Sequence, residues 1–142
     1  MAPKVHDFHP SENRESLTLS LYSSPVSAGF PSPAEGYEEK LDLHEYLIQR
    51  PSSTFFCRVE GDSMKNIGIF SGDLIVVDRS KTPKNGSIVV AVINGEHLLK
   101  KVKLQEKALY LVAENPSYPP LLVKEEDELL IWGVVTAVIR KF

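Results

Sequence analysis

From Thr54 to Ile139 the chain is a succession of short β-branched runs separated by turn residues, a rhythm that commits this stretch to a mostly β body. Thr54-Phe55-Phe56-Cys57-Arg58-Val59, Asp73-Leu74-Ile75-Val76-Val77-Asp78 and Ser87-Ile88-Val89-Val90-Ala91-Val92-Ile93 are each bounded by Gly, Pro, Asn or Asp. Their length and β-branching read as strands. Asn94-Gly95 sits between Ile93 and Glu96, and a two-residue hairpin turn of this kind needs positive φ at both positions. Strands are expected to continue through Leu98-Leu99, Ala108 to Val112, Leu121 to Val123 and Leu129 to Ile139. The sequence carries no repeat of solenoid length and no low-complexity tract.

The front of the chain is different. Half of the 10 prolines fall in the first 33 residues, and the first of the 8 glycines is Gly29. Residues 1–28 carry Lys4 and Arg14 against Asp7, Glu12 and Glu15, with few large apolar side chains outside Leu17 to Tyr22. Such a segment is too short and polar to bury a core, so it reads as an extended arm. Leu17, Leu19 and Leu21 alternate with Thr18, Ser20 and Tyr22, which predicts a strand that the arm adds to the body. Asp42, with Glu45 three residues on, resembles a capping box, and Pro51 closes the run that follows, which predicts a short helix over 43–50.

The 142 residues suit one soluble domain in total. A formal charge of -3 gives no global basic field, so strong direct binding to nucleic acid is not expected. The single cysteine, Cys57, excludes an internal disulfide framework and any Cys-rich metal site, and it suits a reducing compartment such as the cytoplasm. Leu129 to Ile139 is the most apolar stretch and has 11 residues, against the roughly 20 a membrane helix needs. No secretory signal and no membrane span are expected.

Ser63 is the residue most suggestive of chemistry. It follows a predicted strand in Gly61-Asp62-Ser63-Met64, where Gly61 permits a tight turn that exposes the hydroxyl. A serine becomes a nucleophile only when a base takes its proton. The histidines are His6 and His9 in the arm, His44 in the helix and His97 after the hairpin, and no Gly-x-Ser-x-Gly elbow accompanies them. The other known base is a lysine kept neutral by burial. Side-chain alternation puts Leu98, Lys100 and Val102 on one strand face and His97, Leu99, Lys101 and Lys103 on the other. Lys100, with apolar neighbours on both sides, is therefore the better candidate for a desolvated amine. Ordinary roles stay open: a serine in a turn, a solvated lysine on a strand. Cys57 beside Phe56 reads as core packing, His6 and His9 lack further metal ligands, and the basic stretch Lys100 to Lys107 reads as a solvated face.

Gly61-Asp62-Ser63-Met64, Ser71-Gly72-Asp73-Leu74-Ile75-Val76-Val77-Asp78, Gly86-Ser87-Ile88-Val89-Val90-Ala91 and Gly95-Glu96-His97-Leu98-Leu99-Lys100-Lys101 together resemble the LexA/UmuD family of self-cleaving serine peptidases. The likeness runs from about Gly29 to Arg140 and includes the 37-residue interval between Ser63 and Lys100. It implies a LexA/signal-peptidase-like β body. It also implies Ser63 as nucleophile, Lys100 as general base, and the backbone N–H groups of Asp62 and Ser63 as oxyanion donors. The bond cut would be the chain's own Ala28-Gly29, which divides it into a removable arm, 1–28, and a peptidase and polymerase-accessory domain, 29–142. Leu98 stands where many family members carry a threonine, so the site is expected to be more apolar and slower. With 28 residues ahead of that bond, a DNA-reading helix-turn-helix domain is not expected, and the accessory-subunit branch fits better than the repressor branch.

The resemblance further implies a homodimer, stimulation of cleavage by a RecA filament on single-stranded DNA, and a UmuC-type error-prone DNA polymerase as partner, in the SOS response to DNA damage. No cofactor and no metal are implied. Two alternatives remain at this point: a Ser-Lys peptidase acting on other proteins, and a non-enzymatic β interaction module in which Ser63 and Lys100 are incidental.

Overall fold

The structure is a computed structural model that describes residues 16–23, 25–27 and 38–142. It is mostly β and divides into two compact units, Met1–Tyr46 and Leu47–Phe142.

In the first unit, strand β1 (Thr18–Tyr22) pairs antiparallel with β2 (Glu38–Asp42), in a register that sets Thr18 opposite Asp42 and Tyr22 opposite Glu38. The alternation of Leu19 and Leu21 thus does mark a strand. Its partner is β2, within residues 29–142, so the expected pairing with the body is present, in a two-stranded sheet distinct from the seven-stranded one. Alternation reports a pleat, and every β1 side chain here is exposed.

Helix α1 (Leu43–Leu47) begins as the sequence predicts, with Oδ1 of Asp42 accepting from the backbone N–H groups of His44 (2.9 Å) and Glu45 (3.3 Å). It ends three residues short of the expected Arg50. Arg50, next to Pro51, is held out of the helical region at φ -130°, ψ 84°, and Pro51–Ser53 then forms a separate 3-10 turn with proline at its start.

The second unit is built on one antiparallel sheet of seven strands: β3 (Thr54–Arg58), β4 (Leu74–Asp78), β5 (Ile88–Ile93), β6 (Glu96–Gln105), β7 (Ala108–Val112), β8 (Leu121–Leu122) and β9 (Leu129–Ile139). Their spatial order is β3-β4-β9-β5-β6-β7-β8, so the C-terminal strand is inserted between β4 and β5. The Val89-Val90-Ala91 run is apolar without alternation because both sheet faces are covered. Val90 joins Val59, Met64, Ile69, Ile75 and Val77 in one core cluster, while Val89 and Ala91 join Val102, Leu111 and Val134 in the other. Asn94 (φ 48°) and Gly95 (φ 83°) both take positive φ, as the hairpin demands, and the turn launches β6 beside β5 with Val89 opposite Lys100. Among the described residues no helix is long and apolar enough to cross a membrane.

Candidate active site

The segment after β3 is pinned at both ends before it turns. Val59 donates its N–H to the Asp73 carbonyl and accepts from Gly72, both at 2.8 Å, and the Val59 and Met64 side chains are buried in the first core cluster. Between these anchors Gly61 adopts φ +88°, a left-handed conformation that L side chains rarely reach, although a Cβ there would meet no atom within 4 Å. The glycine is needed for its backbone alone.

Asp62 is the most heavily tied residue of the turn. Its carbonyl accepts from Nδ2 of Asn115 (2.9 Å) and from the N–H of Lys65 (3.2 Å), and its Oδ1 accepts from the Tyr118 hydroxyl (2.7 Å). That hydrogen bond to a carboxylate pushes the Tyr118 phenol up from its ordinary value. Asn115 is itself buried, and its carbonyl and Oδ1 accept from the N–H groups of Tyr118 (3.1 Å) and Ser117 (3.0 Å). The loop after β7 thereby fixes the turn from outside while the core fixes it from inside.

Ser63 is half-buried, and its hydroxyl donates to the Leu99 carbonyl at 3.4 Å. Lys100 is half-buried on the neighbouring strand, and desolvation pushes its amine below the ordinary lysine value. Its Nζ lies 4.9 Å from the centroid of the Tyr118 ring. Ser63, Met64, Leu98, Lys100 and Tyr118 line one hollow of about 200 Å³. A neighbouring hollow of about 490 Å³ shares Val59 to Gly61 and His97 to Leu99 with it and extends to Cys57 and Trp132. Such a continuous surface can take a few residues of extended peptide.

Lys101, next in sequence, is instead ion-paired with Glu114. His97 lines the same hollow as Ser63, yet its ring packs at a tilt of 59° against Trp132 with centroids 5.3 Å apart, and His44 belongs to α1 in the other unit. Cys57 packs against the first core cluster, and burial pushes its thiol up, away from thiolate character. Ala28, Gly29, His6 and His9 lie outside the described residues. Among the described residues no three His, Cys, Asp or Glu side chains are grouped so as to hold a metal ion.

Asn115 and Tyr118 do not stand out in the sequence. They reach Asp62 across 53 and 56 residues, and Asn115-Pro116-Ser117-Tyr118-Pro119-Pro120 reads locally as an ordinary turn.

Residues 20–136 match the family model described as Peptidase S24-like. The chain is 47% identical over 133 residues to Protein SamA of Salmonella typhimurium, covering 93% of this chain and 92% of that one. It is 44% identical over 135 residues to Protein MucA of Escherichia coli, covering 94% and 92%. To the LexA repressor of Shewanella sediminis it is 39% identical over 131 residues, which are 92% of this chain but 63% of the repressor.

Proposed function

The chain belongs to the peptidase S24-like family, and we propose that it is a self-cleaving serine peptidase of SOS mutagenesis that hydrolyses its own Ala28-Gly29 bond. In this reading the neutral amine of Lys100 takes the proton of Ser63 Oγ as that oxygen attacks the Ala28 carbonyl carbon. The N–H groups of Asp62 and Ser63 receive the oxyanion. Collapse breaks the bond to Gly29, whose nitrogen leaves with the proton carried by Lys100, and an Ala28 ester of Ser63 remains. Lys100 then deprotonates a water that attacks the ester and returns that proton to Ser63 Oγ as the ester bond breaks, and residues 1–28 depart with a new carboxylate.

The observation that carries this reading is the shared hollow: a serine on a braced turn and a lysine with a lowered pKa line the same small space. The cut would fall in the connection between β1 and β2, so the arm 1–28 carries one strand of that pair and the product 29–142 carries the other. The processed form, as a homodimer in the cytoplasm, would serve as accessory subunit of a UmuC-type error-prone DNA polymerase. A RecA filament on single-stranded DNA would favour the cleavable arrangement of the arm without adding catalytic groups. No cofactor enters the chemistry.

The test is incubation of the purified chain at mildly alkaline pH, with and without activated RecA, followed by mapping of the product termini. A new N-terminus at Gly29, formed faster with RecA, is expected. An intact chain under both conditions, or a terminus elsewhere, would overturn the proposal.

A further inference from the structure

The hydrogen bonds around Asp62 leave the Tyr118 ring little freedom. Its hydroxyl is anchored to Asp62 Oδ1 at 2.7 Å and its backbone to Asn115 at 3.1 Å, and between these points the ring presents its face to Lys100 Nζ at 4.9 Å from the centroid. An ammonium within about 6 Å of an aromatic face is attracted to the ring quadrupole, whereas a neutral amine has no charge to place there. The Ser63 hydroxyl, meanwhile, is engaged with the Leu99 carbonyl.

We infer that Tyr118 is a positioning residue that seats the protonated Lys100 side chain on its ring, and that loss of the proton releases the amine toward Ser63. The inference rests on the Ser63–Lys100 reading for its catalytic meaning, but the seat itself does not. The other titratable groups lining this hollow are Glu60 and Asp62 on the turn and His97 on β6. Across β6, Lys101 is occupied by Glu114. The ring favours the charged amine and desolvation opposes it, so removing the ring lowers the Lys100 pKa further.

The experiment is an NMR titration of the Lys100 side chain in Ser63→Ala protein, which cannot use that serine as nucleophile, comparing Tyr118 with Tyr118→Phe and Tyr118→Leu. The leucine variant is expected to titrate lower by roughly half a unit to one unit, and the phenylalanine variant, which keeps the ring face and loses the anchor to Asp62, to fall by no more than that. Should the leucine variant not fold, pentafluorophenylalanine at 118 keeps the shape, removes the negative ring face and is expected to lower the midpoint in the same way. A midpoint unmoved or raised when the ring face is lost overturns the inference. In Ser63-containing protein the acidic limb of self-cleavage should move with the titration. A moved titration with an unmoved limb upholds the seat and refutes Lys100 as the base.

Discussion

The hydroxyl of Ser63 donates to the carbonyl of Leu99, the residue immediately before Lys100, at 3.4 Å. This contact joins the turn after β3 to strand β6, so the serine and the lysine are held by two elements that themselves meet. The length is at the weak end for an O–H donor. A small rearrangement suffices to free the hydroxyl.

Gly61 is the first place to perturb this arrangement. At φ +88° a Cβ costs roughly 1–2 kcal/mol of backbone strain, with no steric clash added. Gly61→Ala is expected to lower thermal stability modestly and to slow self-cleavage by more than the stability loss explains, because the turn carries Ser63. Thermal melts beside cleavage rates check this; an unchanged rate would mean that the turn tolerates the strain without moving Ser63.

Acid should loosen the junction of β4 and β9 through Asp73. Its carboxyl is held at a pKa of about 2, chiefly by the Arg140 side-chain hydrogen bonds at 2.7 and 2.6 Å and then by the Phe70 N–H. The folded pKa lies below the unfolded one, so the stabilisation is complete above about pH 4 and is lost as pH falls toward 2. Asp78, held at about 2 mainly by Ser80, adds to the same window. Arg140→Ala should lower the melting temperature at neutral pH and flatten its decline between pH 4 and pH 2, measured by circular dichroism.

The released arm should not stay bound. After a cut between β1 and β2 their pairing is no longer within one chain, and a two-stranded sheet with every β1 side chain exposed is marginal in water. Size-exclusion chromatography of the cleaved protein should separate residues 1–28 from residues 29–142. Co-elution at low micromolar concentration would show that further contacts hold the arm.

The β rhythm between Thr54 and Ile139 carried most of the fold because strand period and turn chemistry are local properties. Asn94-Gly95 is the clearest instance, with both residues at positive φ. The partner of β1 was not legible, since Glu38-Glu39-Lys40-Leu41-Asp42 has no alternation to announce a strand and pairs only because the chain returns along β1. Side-chain parity separated Lys100 from Lys101 correctly in environment: one is desolvated, the other paired with Glu114. Asn115 and Tyr118 escaped for the opposite reason, because nothing near them in sequence reports a contact with Asp62 more than 50 residues away.

The most direct measurement is self-cleavage followed across pH for the parent chain, Ser63→Ala, Lys100→Ala and Lys101→Ala, with folding of each verified by circular dichroism. A Gly29 terminus is expected for the parent and Lys101→Ala, with an acidic limb whose midpoint lies below the 10.5 of an ordinary lysine, and at least a roughly hundredfold loss in the other two variants. Cleavage at Gly29 that persists in folded Ser63→Ala or Lys100→Ala protein would refute the Ser63–Lys100 dyad.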